Sequence, residues 1–115
     1  GRFANRPDVD VKYVCDADRR RLDRGVAAVG AATAKTVQRI TDFQRMLDDP
    51  EVDIVVNATP DHWHGVGTVW ACQAGKHVYV EKPCSHNPRE GELLLEATKW
   101  HKTLVQMGNQ QRSRT

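Results

Sequence analysis

Short apolar runs rich in β-branched residues alternate along this chain with amphipathic stretches of helical periodicity. The clearest run is D-I-V-V-N-A at residues 53–58, whose three consecutive β-branched side chains favour a strand buried on both faces of a parallel sheet. Similar runs occur at residues 11–15, 37–40, 77–80 and 103–107. Because helical stretches separate these strands, the chain is predicted to consist of β-α-β units. The predicted fold class is therefore α/β, with a doubly wound parallel sheet.

Capping residues and a glycine indicate where the helices begin and end. Asp18 and Asp61 are predicted N-caps, because a carboxylate at that position accepts hydrogen bonds from the first helical N–H groups. Gly75 is predicted to end the helix that begins near Asp61, since glycine readily adopts the left-handed conformation. The motif N-P-R-E at residues 87–90 has the pattern of a capping box and predicts the start of the last helix.

Composition excludes several classes of protein. Hydrophobic residues make up 39% of the chain and charged residues 28%, which favours a soluble globular chain over intrinsic disorder. The 17 basic and 15 acidic residues give a net charge of +2, too balanced to indicate a nucleic-acid partner. No run approaches the roughly 18 apolar residues of a membrane span, so no membrane partner is predicted. Three cysteines without C-x-x-C spacing favour a reduced environment over a disulfide framework.

Two parts of a complete doubly wound sheet are absent from the sequence. No strand precedes the run at residues 11–15, and no glycine-rich G-x-G-x-x-G phosphate loop occurs. The first strand is central in the order 3-2-1-4-5-6, so its absence leaves a gap of about 10 Å, two strand spacings, between the remaining strands. We therefore interpret residues 1–115 as an incomplete dinucleotide-binding domain of a longer protein. Alone, they are expected neither to fold cooperatively nor to catalyse.

Polar residues follow the ends of the predicted strands, where ligands bind to a parallel sheet. Asp16 follows the first strand present and can accept hydrogen bonds from both hydroxyls of an adenosine ribose. Its charge would repel a 2′-phosphate, which favours NAD over NADP, although the neighbouring Arg19 keeps NADP as the less favoured alternative. An ordinary loop carboxylate is the other interpretation of Asp16. Three further polar or small residues follow the last strand: Gly108, Asn109 and Gln110.

Lys82 follows the fourth strand of the chain, between Glu81 and Pro83. Pro83 biases the backbone of Lys82 toward an extended conformation. An ammonium group on the floor of the crevice can donate a hydrogen bond to a substrate hydroxyl or carbonyl oxygen, and partial burial would suit proton transfer. A surface lysine in a turn is the structural alternative.

Other side chains that follow the predicted strands indicate a function less clearly. Four of them are of the kinds that bind zinc: His62, His64, Cys84 and His86. Since no second pair has the tight spacing of a structural zinc site, no metal is predicted and hydrogen-bonding roles are favoured. Trp63 is either a packing residue or a platform on which a sugar ring stacks. Trp70 and Trp100 lie within helical patterns and are predicted to pack in the core.

Several segments resemble one known family. The segment A-G-K-H-V-Y-V-E-K-P at residues 74–83 is similar to the A-G-K-H-V-x-x-E-K-P signature of the Gfo/Idh/MocA family, which includes glucose-fructose oxidoreductase and inositol dehydrogenase. The segment V-N-A-T-P-D-H-W-H at residues 56–64 resembles its T-P-x-x-x-H element. D-P-E-V-D at residues 49–53 resembles the lead-in to that strand, and the tail at residues 105–112 fits one branch of the family. The resemblance extends over nearly the whole chain.

The resemblance implies a Rossmann-like N-terminal NAD(P)-binding domain, of which residues 1–115 form part. It implies a C-terminal α/β domain, absent here, whose open antiparallel sheet binds substrate and builds homo-oligomers. The implied reaction is the oxidation of a secondary hydroxyl of a sugar, cyclitol or related polyol, with hydride passing to NAD. A His or Asp of the second domain would accept the proton.

The resemblance also implies roles for particular residues. The implied cofactor-binding residues are Asp16, Thr59, Pro60, His64, Glu81 and Lys82. Lys82, the implied catalytic residue, would approach the nicotinamide ribose and the reacting hydroxyl, and Glu81 would contact the ribose. Thr59, Pro60 and His64 would lie along the cofactor.

Two other functions stay open at this point. Some relatives are NAD-dependent glycoside hydrolases, which oxidise a sugar carbon transiently, eliminate the glycosidic substituent and reduce the carbon again. A non-catalytic nucleotide-binding module is the third possibility, although Lys82 argues against it because a sensor needs no group at the hydride position. The expected location is the cytoplasm, or outside it if an N-terminal signal precedes this sequence.

Overall fold

Strands and helices alternate along the chain, as the sequence predicts. The structure, a computed structural model, describes residues 3–33 and 35–113. Its elements are β1 (Tyr13–Cys15), α1 (Arg19–Gly30), β2 (Gln38–Ile40), α2 (Gln44–Asp48), β3 (Ile54–Asn57), α3 (Asp61–Gln73), β4 (His77–Glu81), α4 (Pro88–His101), β5 (Val105–Gly108) and a 3-10 helix (Gln110–Ser113). They fall into two compact units, Gly1–Asp49 and Pro50–Thr115. No helix in the described ranges is long and apolar enough to cross a bilayer.

The Gly1–Asp49 unit contains a two-stranded parallel sheet. β1 pairs with β2 so that Cys15 lies opposite Ile40. β1 is two residues shorter than the predicted strand at residues 11–15. The Tyr13 hydroxyl donates to Asp49 Oδ2 at 2.6 Å, and Lys12 Nζ lies 2.6 Å from the same oxygen. These contacts connect β1 to the residue that ends α2.

The Pro50–Thr115 unit contains a three-stranded parallel sheet in the order β3-β4-β5. Asn57 lies opposite Val80, and Glu81 lies opposite Gly108. The prediction that these three strands form one parallel sheet is confirmed. The described strands thus form two sheets, one in each unit.

Most of the predicted helix ends are confirmed. The Asp18 side chain caps α1 by accepting from the backbone N–H of Arg20 at 2.9 Å. Gly75 follows α3 and its C-cap with φ 76°, in the left-handed region. Asn87 caps α4 by accepting from the N–H of Glu90 at 2.9 Å. In return, Glu90 Oε2 accepts from the N–H of His86 at 2.7 Å, which is one residue earlier than in a standard capping box.

Asp61, in contrast, is wrongly predicted as an N-cap. The N-cap of α3 is Pro60, with φ −55° and ψ 149°, and Asp61 is the first helical residue. No side-chain hydrogen bond caps this helix. A carboxylate in the first turn still interacts favourably with the helix dipole.

The prediction that β3 is buried on both faces is also wrong. Val55 and Asn57 are buried, whereas Ile54 is 60% exposed and Val56 48%. The Asn57 amide reaches the Thr68 hydroxyl of α3, so this helix covers the face that Val55 and Asn57 share. Nothing in the described ranges buries the opposite face to the same extent.

Small and polar residues form the buried face of α3. Its buried residues are His64, Gly65, Thr68, Ala71 and Cys72. Gly65 lets α4 approach closely, since a Cβ there would lie 3.2 Å from Glu90 Cβ. The apolar residues Val66, Val69 and Trp70 of α3 instead line a groove between α3 and α4, which Leu93 also lines.

The two tryptophans predicted to pack in the core lie partly or mostly in solvent. Trp70 is 42% exposed and Trp100 83%. The buried residues of α4 are Leu94 and Ala97. With 3.6 residues per turn, Trp100 lies about 120° around the helix from Leu94 and about 60° from Ala97, which places it at the margin of the buried face.

Two open glycines differ in their backbone conformation and provide a matched test. No atom lies within 4 Å of a Cβ built at either Gly75 or Gly30, but only Gly75 has a positive φ. We expect Gly75→Ala to lower the free energy of unfolding by about 1–2 kcal/mol, because an L-residue is strained there. Gly30→Ala is expected to be neutral or to stabilise by up to about 1 kcal/mol. Urea unfolding of both variants of the protein as encoded measures this difference, and equal effects would contradict it.

Candidate functional site

The carboxyl ends of β3 and β4 bring two loops to the same edge of the three-stranded sheet. Since Asn57 lies opposite Val80, the chain leaves the sheet at neighbouring points on its way to Thr59 and to Lys82. Thr59 and Pro60 are exposed and precede α3. The topology thus brings together the T-P and E-K-P segments, which the sequence analysis singled out separately.

Lys82 projects into solvent at this edge. Its side chain is exposed, rather than partly buried as the sequence analysis expected. Within the described ranges, no ion pair or hydrogen bond engages its ammonium group. The peptide bond between Lys82 and Pro83 is cis. An ammonium group without a protein partner is available to an oxygen atom of a ligand.

Glu81 is half-buried, and the segment that follows β5 contacts its carboxylate. Gln110 Nε2 donates to Glu81 Oε2 at 3.2 Å, and the Tyr79 hydroxyl lies 3.5 Å from Gln110 Oε1. Gly108 lies beneath this group, and a Cβ there would come within 2.7 Å of the Tyr79 hydroxyl and 3.1 Å of Glu81 Oε2. The absence of a side chain at Gly108 therefore makes room for the Glu81 carboxylate.

Asn57 organises the loop that contains Thr59. The side chain is buried at the end of β3, and Asn57 Oδ1 accepts from the Thr59 hydroxyl at 2.7 Å. Asn57 Nδ2 lies 3.2 Å from the carbonyl oxygen of His64 and 3.3 Å from the Thr68 hydroxyl. Because the Thr59 hydroxyl donates its proton to Asn57, it meets a ligand as a hydrogen-bond acceptor.

His64 lies beneath the loops rather than on their surface. The residue is 2% exposed. Its Nδ1 lies 2.6 Å from the carbonyl oxygen of Pro83, and its Nε2 lies 2.6 Å from the carbonyl oxygen of Thr59. The imidazole therefore connects the loop after β3 to the loop after β4.

Asp16 lies in the other unit, directly after β1. Asp16 Oδ1 accepts from the N–H of Asp18 at 2.8 Å, which fixes the carboxylate at the start of α1. Within the described ranges no partner engages its second oxygen. Burial raises the pKa of the neighbouring Cys15 thiol, and the charges of Asp16 and Asp42 raise it further. Cys15 therefore stays protonated at neutral pH and supplies no thiolate.

The potential zinc ligands do not form a metal site. No three His, Cys, Asp or Glu side chains of the described ranges lie together as a ligand group. His64 already uses both ring nitrogens with backbone oxygens. The exposed ring of His62 lies 5.8 Å from the ring of Trp63, and Trp63 lies 6.3 Å from Trp70, measured between centroids. Trp63 is 46% exposed and forms part of an aromatic row along α3.

Comparison with known proteins identifies the family. The sequence profile of the Gfo/Idh/MocA oxidoreductase family, NAD-binding Rossmann fold, matches residues 2–109. The chain belongs to this family. Its strands and helices form the NAD-binding Rossmann part, as the sequence analysis predicted.

Individual relatives agree with this assignment. Over 67 residues, or 58% of this chain and 17% of the relative, the chain is 36% identical to a levoglucosan dehydrogenase of Pseudarthrobacter phenanthrenivorans. Over 112 residues, or 93% of this chain and 24% of the relative, it is 28% identical to a glycosyl hydrolase family 109 protein of Shewanella sp. (strain W3-18-1).

A solved structure matches most of the chain. The WlbA dehydrogenase of Bordetella pertussis, in complex with NADH and UDP-GlcNAcA, superposes with a TM-score of 0.84 at 25% identity. The match covers 96% of this chain and 31% of WlbA. The chain thus spans about a sixth to a third of the length of these three proteins.

The role of Asn57 is not predicted from the sequence, in which this residue is only part of a strand. Asn57 lies two residues after the apolar Val55 and therefore on the same face of the strand. An amide buried on that face must find hydrogen-bond partners, and this is the signal in the sequence for its role. Gln110 was noted only as a polar residue after the last strand. Its contact with Glu81 depends on the path of the chain after β5, which no local pattern predicts.

Proposed function

We propose that this chain supplies part of the NAD-binding domain of an oxidoreductase that oxidises a secondary hydroxyl of a sugar, cyclitol or related polyol. The observation that carries the proposal is the parallel register of β3 and β4, which brings Thr59, Glu81 and Lys82 to one edge of the sheet. The carboxyl edge of a parallel sheet is where this fold class binds its ligands. The similarity to a levoglucosan dehydrogenase supports the substrate class.

The described residues fit the cofactor. Glu81 Oε1, which has no hydrogen-bond partner in the described ranges, would accept a hydrogen bond from the nicotinamide ribose. The acceptor oxygen of Thr59 and the ring of Pro60 would lie along the cofactor. In the other unit, the second oxygen of Asp16 would accept from an adenosine ribose hydroxyl. When bound, NAD accepts the hydride from the carbinol carbon.

Lys82 acts on the substrate oxygen. Its exposed ammonium group donates a hydrogen bond to the hydroxyl that is being oxidised. As that hydroxyl loses its proton, negative charge develops on the oxygen, and the positive charge of Lys82 stabilises it. The interaction is stronger in the transition state than in the ground state, so it raises turnover more than substrate affinity.

A second candidate function is an NAD-dependent glycoside hydrolase. The similarity to a glycosyl hydrolase family 109 protein over 93% of the chain favours it. Transient oxidation would assist the elimination of the glycosidic substituent, and water would then add in its place. Reduction of the carbon that was oxidised would return NAD to its starting state. Stoichiometry separates the two functions: a dehydrogenase forms one NADH for each polyol oxidised, whereas the hydrolase releases sugar without net NADH.

Replacement of Lys82 tests the proposed reaction. In the protein as encoded, Lys82→Ala is expected to lower kcat by at least about a hundredfold, because charge stabilisation of this kind is lost from the transition state. The dissociation constant for NAD should change by less than about threefold. Lys82→Arg should restore only part of kcat, since a planar guanidinium does not replace a compact ammonium group.

The matched control is Lys99→Ala, which removes an exposed lysine in the last turn of α4. It should leave kcat and the dissociation constant for NAD unchanged. Steady-state assays of NADH formation with a panel of polyols, together with NAD titration, give both quantities. Near-normal turnover in Lys82→Ala would show that this lysine is only a surface residue.

Replacement of Asp16 tests the choice of cofactor. The enzyme is expected to prefer NAD over NADP, and Asp16→Ser should narrow that preference by about tenfold or more, equivalent to about 1.4 kcal/mol. The substitution removes a ribose acceptor and a charge that repels the 2′-phosphate. Asp53→Ser, at an exposed carboxylate before β3, is the control and should leave the preference unchanged. A wild-type enzyme that prefers NADP by tenfold would contradict this role.

A further inference from the structure

The hydrogen bonds of His64 require both of its ring nitrogens. Each nitrogen lies 2.6 Å from a backbone carbonyl oxygen, Nδ1 from Pro83 and Nε2 from Thr59. A carbonyl oxygen only accepts hydrogen bonds, and a neutral imidazole carries a single N–H. Both contacts are therefore hydrogen bonds only when both ring nitrogens carry protons. With the residue 2% exposed, little water competes for either nitrogen.

The backbone of His64 is fixed as well as its ring. The carbonyl oxygen of His64 lies 3.2 Å from Asn57 Nδ2, and the same amide accepts from the Thr59 hydroxyl through its oxygen. The position of the imidazole is thus set by the end of β3 and by the first turns of α3. A ring held in this way transmits the position of one loop to the other.

We propose that His64 is a positioning residue that fixes the loops of Thr59 and Lys82 relative to each other through two ring hydrogen bonds. One acceptor, Pro83, directly follows Lys82, and the other, Thr59, directly precedes Pro60. Because its ring nitrogens are used within the protein, His64 acts on the cofactor and substrate through these loops rather than by contact. The effect on catalysis rests on the proposed function, whereas the effect on the loops does not.

Replacement of His64 by glutamine or by asparagine tests its two hydrogen bonds one at a time. His64→Gln can place its side-chain NH2 near the position of Nε2, which keeps the bond to Thr59 and loses the bond to Pro83. His64→Asn can place its NH2 near the position of Nδ1, which keeps the bond to Pro83 and loses the bond to Thr59. The control is His101→Asn. His101 is the last residue of α4, at the opposite end of that helix from the loop after β4.

Amide hydrogen exchange without NAD tests the positioning directly. In His64→Gln, the amide of His86, which donates to Glu90 Oε2, should exchange about five- to tenfold faster, the amount expected for one lost hydrogen bond. The amide of Thr59, which donates to Asn57 Oδ1, should change little. His64→Asn should show the opposite pattern, and His101→Asn should leave both loops unchanged. Equal changes of both loops in both variants, or no change in either, would overturn the proposal.

Kinetics with NAD then test how positioning affects the proposed reaction. His64→Gln should lower kcat by about tenfold with the dissociation constant for NAD changed by less than about threefold, because the loop of Lys82 is released. His64→Asn should raise the dissociation constant for NAD by about fivefold with less effect on kcat. A residue with a purely structural role would not lower kcat in one variant and raise the dissociation constant for NAD in the other. If the exchange pattern holds while the unmodified protein oxidises no polyol with NAD, the proposed function fails and the positioning role stands.

A measurement on the unmodified protein tests the proposal even if the His64 variants fail to fold. At the pH of the activity assay, the ring of His64 should give two N–H resonances in a 1H–15N correlation spectrum, both protected from exchange with water. A single ring N–H, or ring protons that exchange as fast as those of free histidine, would overturn the two-bond arrangement.

Discussion

The parallel register of β3, β4 and β5 is the constraint on which the candidate site depends. Each strand contributes only four or five residues, so a shift by one residue would place Thr59 and Lys82 at different levels and reverse the faces of every side chain. The buried Asn57 amide reinforces this register, because its partners in α3 and in the loop of Thr59 are within reach from one face only. A single buried polar residue thus links sheet, helix and loop.

The chemistry of the site divides between buried and exposed groups. His64 and Asn57 are buried and satisfied within the protein, whereas Lys82 is exposed and Glu81 half-buried. The buried pair gives the loops a defined shape, and the ring nitrogens of His64 are directed at backbone oxygens rather than at a ligand. The exposed pair presents opposite charges, which suits hydrogen bonds to ribose hydroxyls and to the oxygen of a reacting alcohol. Such a division agrees with a site that is formed before its ligand binds.

Local patterns predicted the elements of the fold better than their burial. β-branched runs, the Asp18 cap, Gly75 and the N-P-R-E box depend on neighbouring residues in the chain, and all four predictions are confirmed. Burial depends on which elements pack together, which is why Ile54, Val56 and Trp100 are more exposed than their types suggest. The sequence also indicated which residues lie at the carboxyl edge. It did not predict that His64 lies beneath the loops, because both of its hydrogen-bond acceptors are backbone carbonyl oxygens, which every residue type carries.

A crystal structure of the protein as encoded, bound to NAD, tests the central claim most directly. The account predicts the nicotinamide ribose at the carboxyl edge of β3, β4 and β5, with its hydroxyls about 2.7–3.2 Å from the Glu81 carboxylate or Lys82 Nζ. His64 should keep both of its backbone partners in that complex. A nicotinamide bound at the opposite edge, near Asp53 and Thr103, or bound in contact with a His64 ring that has left Thr59 and Pro83, would contradict the account.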